Sequence, residues 1–478
     1  MNAPLDRHPR ADHLSSAITV LVLVAVTFSA LAYGAVEPWS LLIFESMVLL
    51  AVALWVVRVT ARKKIELNIP PTTLPILALL AVGIAQSVAI SDGSGRLFSL
   101  SKNVGFTRSA VTVLAFLLIC FLLSSSFFNT RQRLSTLANF LVTYGLGMAL
   151  FALIQHFTWN GRFYWLRPTQ VMSPFGPFAN HNHFAGYMEM LIPIPIALIL
   201  TRAVRVEMRL LYGFAAIVMG IATVASLSRG GMISLAASTL FLMVASVRAT
   251  LRQERSASNR STTRGIGRAL SRSAVVVGIS VVIGAGILWI GAEPVIRRVT
   301  QGQSTNPAAY TETFYSSRGW VWRDTLSMIR ANPILGVGLG AYETAFANYS
   351  ESDGSLRVLQ AHNDYLQILA DCGIVGGLIA VWFLALVFRA ILRGIDSGDR
   401  LLAGLALGSG SGIFAILVHS CVDFNLQVPS NALLFLLLTA VVSVIGSGAA
   451  SRVHLVSRSV ELEPFARRIE TAPAARSL

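Results

Sequence analysis

Long apolar runs recur along this chain, each close to twenty residues, and the stretches between them hold most of the Lys, Arg, Asp and Glu. A hydrocarbon core of roughly 30 Å requires about twenty residues of helix. The apolarity is continuous rather than alternating, which selects helices over barrel strands. About twelve spans meet this criterion, at 14–34, 40–59, 72–90, 107–127, 134–157, 181–201, 208–227, 230–248, 273–291, 363–390, 401–421 and 430–447. The first follows Arg7 and Arg10, and Ala30-Leu31-Ala32 resembles a cleavage site. Its apolar region exceeds that of a signal peptide, so it is read as a span. The expected fold class is therefore all-α, a polytopic membrane protein.

With 54% hydrophobic and 13% charged residues over 478 positions, composition excludes a soluble globular chain. The formal net charge of +15 would suit nucleic acid, but the basic residues cluster in alternate loops. Membrane topology and anionic lipid account for that pattern, and no nucleic-acid partner is expected. About two thirds of the 38 Lys and Arg fall on the side of the N-terminus, which makes both termini cytoplasmic. Residues 14–451 then form one transmembrane domain between cytoplasmic tails, 1–13 and 452–478. Residues 249–272 form a basic cytoplasmic loop, and 292–362 a large outer loop containing short helices. Cys120, Cys372 and Cys421 lack metal-ligand spacing and read as packing residues. No internal repeat is visible, which disfavours a transporter of two inverted halves.

The same charge count singles out Arg229, Arg318, Arg323 and Arg357, which fall outside, where topology asks for no positive charge. Helices start on that face after Phe178-Ala179-Asn180-His181-Asn182-His183, at Ser228-Arg229-Gly230-Gly231 and at His362-Asn363. A short amphipathic helix is expected from Gly319 to Arg330, capped by Ser317 and stopped at Asn332-Pro333. An arginine at a helix N-terminus opposes the macrodipole, a cost that makes sense where an anion binds. Arg229 and Arg318 fit that description, and Gly230-Gly231 removes side chains that would hold a ligand away. The plainer alternative is that each arginine reaches headgroups or pairs with a carboxylate. His362 is likewise either a structural residue at a helix start or a neutral imidazole able to accept a proton. Gly373 and Gly377 form a small-xxx-small pair suited to helix packing. Glu45, Glu189, Asp371 and Asp423 are carboxylates in or near spans and are candidates by position, though Glu45 could equally be a buried partner for an arginine or a backbone group. Asp423, beside Asn425 and Pro429, reads as a loop residue. No phosphate-binding loop, dinucleotide fingerprint or metal cluster is present, so neither metal nor cofactor is expected.

At these residues the sequence resembles the bacterial O-antigen ligase and Wzy-type polymerase superfamily. The resemblance rests on Phe178 to Ala185, Ser228-Arg229-Gly230-Gly231, Ser317-Arg318-Gly319-Trp320-Val321-Trp322, Asn332-Pro333-Ile334-Leu335-Gly336-Val337-Gly338-Leu339-Gly340, and His362-Asn363-x9-Gly373-Ile374-Val375-Gly376. It spans roughly 175–430. It implies a GT-C-like, metal-independent glycosyltransferase of the bacterial inner membrane with a periplasmic site. The donor it implies is a glycan on undecaprenyl diphosphate. The acceptor is a sugar hydroxyl of lipid A–core in a ligase, or another lipid-linked glycan in a polymerase. Protein O-oligosaccharyltransferases share much of the region. A lipid-linked glycan transporter is the alternative from another class. By the resemblance Arg229 and Arg318 bind diphosphate and His362 is the base. Asn180, His181, Asn182, His183, Asn363 and Asp364 stand beside them as possible supporting residues.

Overall fold

The computed structural model describes residues 9–91, 97–168, 174–256, 318–350 and 357–449, with positions 274 and 278. The span expected at 273–291, the cap expected at Ser317 and the tail 452–478 lie outside these or almost wholly so. Ten described helices are long and apolar enough to cross a membrane. They comprise α1 (Pro9–Leu31), α2 (Pro38–Arg62), α4 (Val104–Phe127), α5 (Arg131–Phe157), the pair α6 (His181–Leu191) and α7 (Pro193–Leu200), α8 (Val206–Ala225) and α9 (Arg229–Ser256). After α10 (Gly319–Ala331) and the one-turn α11 (Tyr342–Phe346) come α12 (Asp364–Ile395), α13 (Arg400–His419) and α14 (Pro429–Gly446). The chain is thus an all-α, multi-pass membrane protein.

Several expected bounds shift. The span expected at 72–90 is only the 14-residue α3 (Thr73–Gln86), about 21 Å long and too short to cross. A small hairpin, β1 (Ala89–Ser91) paired antiparallel with β2 (Leu97–Ser99), takes up the remainder. A second, β3 (Arg162–Phe163) with β4 (Arg167–Pro168), follows α5. Helix α1 starts within the expected N-terminal tail, and α9 continues into the expected basic loop as far as Ser256. One expected span is split at Pro193, where a proline opens α7 because its missing N–H is harmless in a first turn.

The core is built on α13 and α14, which are buried along almost their whole length. Small residues make this possible. A methyl at Gly408 would stand 2.7 Å from the Ile194 Cα, and one at Gly412 would meet the Met190 backbone. Gly404, Gly408 and Gly412, four residues apart, therefore let α13 lie backbone to backbone against α6 and α7.

The glycine-rich stretch after α10 serves a different purpose from helix packing. Gly336, Gly338 and Gly340 all have positive φ, and Gly373 breaks α12 with φ 61° and ψ −158°. The amides freed by the break donate to Pro333 O from Ile374 (2.8 Å) and to Ile334 O from Val375 (3.3 Å). In return Val337 N–H donates to Ala370 O (2.9 Å) and Gly338 N–H to Asp371 O (3.0 Å). Gly373 lies against the Ile334 backbone, so the expected Gly373–Gly377 helix contact is instead a loop plugged into a broken helix. Gln86 at the end of α3 locks the plug by donating to Leu335 O (2.6 Å) and Asp371 O (2.9 Å). On top, Trp320, Val321 and Met328 of α10 bury against Tyr342, Phe346 and Ala361 in a second small core.

Candidate active site

The loop from the end of α13 to the start of α14 gathers most of the residues singled out by the sequence. At its centre stands Asp423, with a fully buried side chain. Its Oδ2 accepts from Arg318 Nη2 at 3.1 Å, and its Oδ1 lies 3.4 Å from His362 Nδ1. The latter distance is long for a hydrogen bond. Burial by itself would raise the carboxyl, but the His362 hydrogen bond and the charges of Arg318, His183 and His419 outweigh it. Asp423 is therefore held well below the usual carboxylate range and stays ionised at neutral pH. An ionised Asp423 can only accept, so Nδ1 of His362 carries the hydrogen toward it, and in the neutral form of the ring Nε2 keeps its lone pair. Of Asp423's two side-chain partners, Arg318 is 34% and His362 33% exposed, so both face the opening while the carboxylate sits behind them.

His362 has φ +50°, a left-handed conformation that a non-glycine residue adopts only where its neighbours impose it. They do so on both sides. Ala361 N–H donates to Gln367 Oε1 (2.8 Å), and Ala361 O accepts from Trp322 Nε1 (3.0 Å) of α10. Asn363 caps α12, its Oδ1 accepting from Tyr365 and Leu366 N–H, while its Nδ2 donates to Cys421 O at 2.8 Å. The imidazole then rests edge-on against Phe424, with centroids 4.8 Å apart.

His183 approaches Phe424 from α6 at the same 4.8 Å. Its Nε2 is buried without a hydrogen-bond partner. Asn180 caps α6 by accepting from Asn182 N–H (2.9 Å), and His181 and Asn182 occupy the first turn. Asp364 ties the loop down: its Oδ2 accepts from Ser420 Oγ (2.7 Å) and Leu426 N–H (3.2 Å). Asn363, Asp364 and Asn180 thus hold backbone in place, whereas His362 and Arg318 present side chains. Arg318 starts α10 without a side-chain cap there, and it takes the carboxylate-pairing course. Arg229 opens α9, exposed and with no ion pair among the described residues. Gly230 and Gly231, expected to clear room for a ligand, instead accommodate His419 and Ala185.

Sequence reasoning missed two features. Asp423 stood among the carboxylates near spans but was read as a loop residue, since its partners lie 61 and 105 positions away. His419 also went unremarked, yet its Nδ1 lies 3.1 Å from Glu189 Oε1, with both side chains buried. An unpartnered carboxylate expected inside a span was the signal that such a partner had to exist. Beside the site an apolar cavity of about 390 Å³ lies between α3, α4, α12 and α14, lined by Leu79, Val113, Ile379, Phe383 and Leu436. It reaches polar groups at Asp364, Ser420 and Gln427. Among the described residues no group of three His, Cys, Asp or Glu is placed to hold a metal ion.

Residues 214–381 match the family model Wzy_C, described as O-Antigen ligase. No curated protein matches the chain. The matched stretch carries Arg229, Arg318, His362, Asn363 and Asp364, and it is narrower than the resemblance drawn from 175–430. Asn180 to His183, Glu189, His419 and Asp423 all lie outside it, and the fold supplies their connection to it. Over residues 214–381 the chain thus matches the O-antigen ligase family model, which supports its resemblance to the O-antigen ligase and Wzy-type superfamily along that stretch.

Proposed function

We propose that the chain is an O-antigen ligase-like glycosyltransferase of the bacterial inner membrane, moving a glycan from undecaprenyl diphosphate to a sugar hydroxyl of lipid A–core at the periplasmic face. The observation that carries this reading is the pairing of both Arg318 and His362 with one buried carboxylate, Asp423. That arrangement sets a cation and a proton acceptor side by side at one opening. In the reaction the acceptor oxygen bonds to the anomeric carbon while the bond from that carbon to the diphosphate oxygen breaks. His362 Nε2 takes the hydroxyl proton, for which a base must stand within about 3 Å. Negative charge grows on the diphosphate as it leaves. Arg318, Arg229 and the free N–H groups that open α9 are suited to stabilise it in a water-poor site. Asp423 keeps His362 in the productive tautomer and steadies the imidazolium that forms. The apolar cavity beside Asp364 suits a polyprenyl tail, whose burial needs no polar partner.

The reaction draws on the donor's own diphosphate linkage and requires neither nucleotide nor metal. Deleting the gene and resolving the surface glycans on a gel tests the reading. Rough lipopolysaccharide with accumulated lipid-linked polymer is the outcome expected of a ligase. Single-repeat chains would transfer the assignment to a polymerase using the same donor, and unchanged lipopolysaccharide would contradict both.

A further inference from the structure

The Glu189–His419 pair has no part in the chemistry described so far, yet it is the most deeply buried ionisable pair in the described bundle. Side-chain exposure is 0% for Glu189 and 1% for His419. Nδ1 of His419 stands 3.1 and 3.2 Å from the two carboxylate oxygens, so the carboxylate fixes both the tautomer and the plane of the ring. The opposite ring atom, Nε2, has no hydrogen-bond partner. A buried polar atom left this way calls for an explanation.

Its surroundings supply one. A methyl at Gly230 would stand 2.5 Å from His419 Nε2 and 2.6 Å from Cδ2, so the ring is pressed against the second residue of α9. Around that contact α9 begins abruptly. Leu227 takes φ +58°, and Ser228 Oγ accepts from Gly231 N–H at 3.1 Å. The N–H groups of Arg229 and Gly230 precede the first intrahelical bond and remain available. Glu189 belongs to α6, His419 ends α13 and Gly230 lies in the first turn of α9. The pair therefore locks together three of the elements that frame the site.

We propose that His419, held by Glu189, is the positioning residue of the anion site at the start of α9: its ring sets where the helix begins and hence where Arg229 and the free N–H groups stand. This rests on the reading of Arg229 as a ligand of the diphosphate. Gly230 is required because any larger residue would displace the ring or the helix. A displacement of about 1 Å at a positioning group costs up to about 10²-fold.

The test uses the full-length protein, purified in lipid nanodiscs, with undecaprenyl diphosphate as the binding probe and transfer assayed separately against acceptor. Gly230→Ala and His419→Ala are each expected to weaken probe binding by about 10-fold or more while the KM for acceptor stays unchanged. Combined, their losses should fall well short of additive, because the alanine at 230 then occupies space the imidazole has vacated. Glu189→Gln and His419→Gln, which keep a buried hydrogen-bonding group, should give smaller losses of the same kind and cover the case in which the alanine variant fails to fold. Additive losses, or variants that lower thermal stability while binding the probe normally, would overturn the proposal. Arg229→Lys, run in parallel, separates the two claims. If it binds the probe as tightly as wild type, the anion-site reading itself is wrong. If it binds weakly while the Gly230 and His419 variants bind normally, only the positioning role is wrong.

Discussion

A buried carboxylate survives folding only when its lone pairs are met by charge or hydrogen bonds, and Asp423 is met by Arg318, His362 and Phe424 N–H. Asp423→Asn keeps the volume but removes the charge that orients both partners. Transfer is expected to fall by about 10²–10⁴-fold, read from initial rates at saturating donor. The sign of the pH dependence follows from the lowered carboxyl. Its contribution to stability is present above the unfolded value and is lost only as pH falls through the lower folded one. Mild acid should therefore leave the Arg318–Asp423 pair intact, and thermal unfolding of wild type and Asp423→Asn between pH 4 and 7 checks this. Arg229→Lys and Arg318→Lys are both expected to weaken donor use, since lysine lacks the planar fork that grips two phosphate oxygens. Unchanged donor KM in both would leave Arg229 a headgroup anchor and Arg318 a structural partner of Asp423. At this scale the sequence was informative about residues standing in marked local contexts. Arg229 and Arg318 stood out because each begins a helix on the side where the charge rule asks for no arginine, and His362 because it stands at a helix start. Asp423 was not, because its role exists only once α10, α12 and the loop after α13 meet.

Backbone strain marks the elements that aim the site. The turn carrying Gly336, Gly338 and Gly340 enters the break at Gly373, and on both sides glycine combines a positive φ with a backbone too close for a Cβ. Gly373→Ala is expected to destabilise by more than about 1 kcal/mol, beyond the usual cost of alanine at positive φ, because its methyl would meet Ile334 backbone. Thermal unfolding in detergent reads this, and a variant as stable as wild type would mean that the break is not rigid. Element type and order were legible from hydrophobic run length alone. The shortness of α3 was not, since an apolar run looks alike whether it crosses a membrane or stops to brace a loop through Gln86. The use of Gly373 was equally hidden, because glycines four apart signal close approach without saying whether a helix or a loop approaches.

For the whole molecule, the ends of ten long apolar helices define two faces, and the candidate residues collect on one. We expect that face to be periplasmic, as the asymmetry of basic residues implies. In a Cys421→Ser background, an impermeant thiol reagent applied from outside should label a cysteine placed at exposed Asn348 and spare one at exposed Gly398. The reverse pattern would put the site on the wrong side for its substrates. The central claim is that one imidazole takes the acceptor's proton beside a separately built donor site. The most direct test is His362→Asn, because asparagine tolerates the left-handed backbone at this position but is no base. In purified protein it should still bind undecaprenyl diphosphate as wild type does, yet transfer glycan about 10²–10⁴-fold more slowly. Transfer at the wild-type rate by a folded His362→Asn protein would contradict the account.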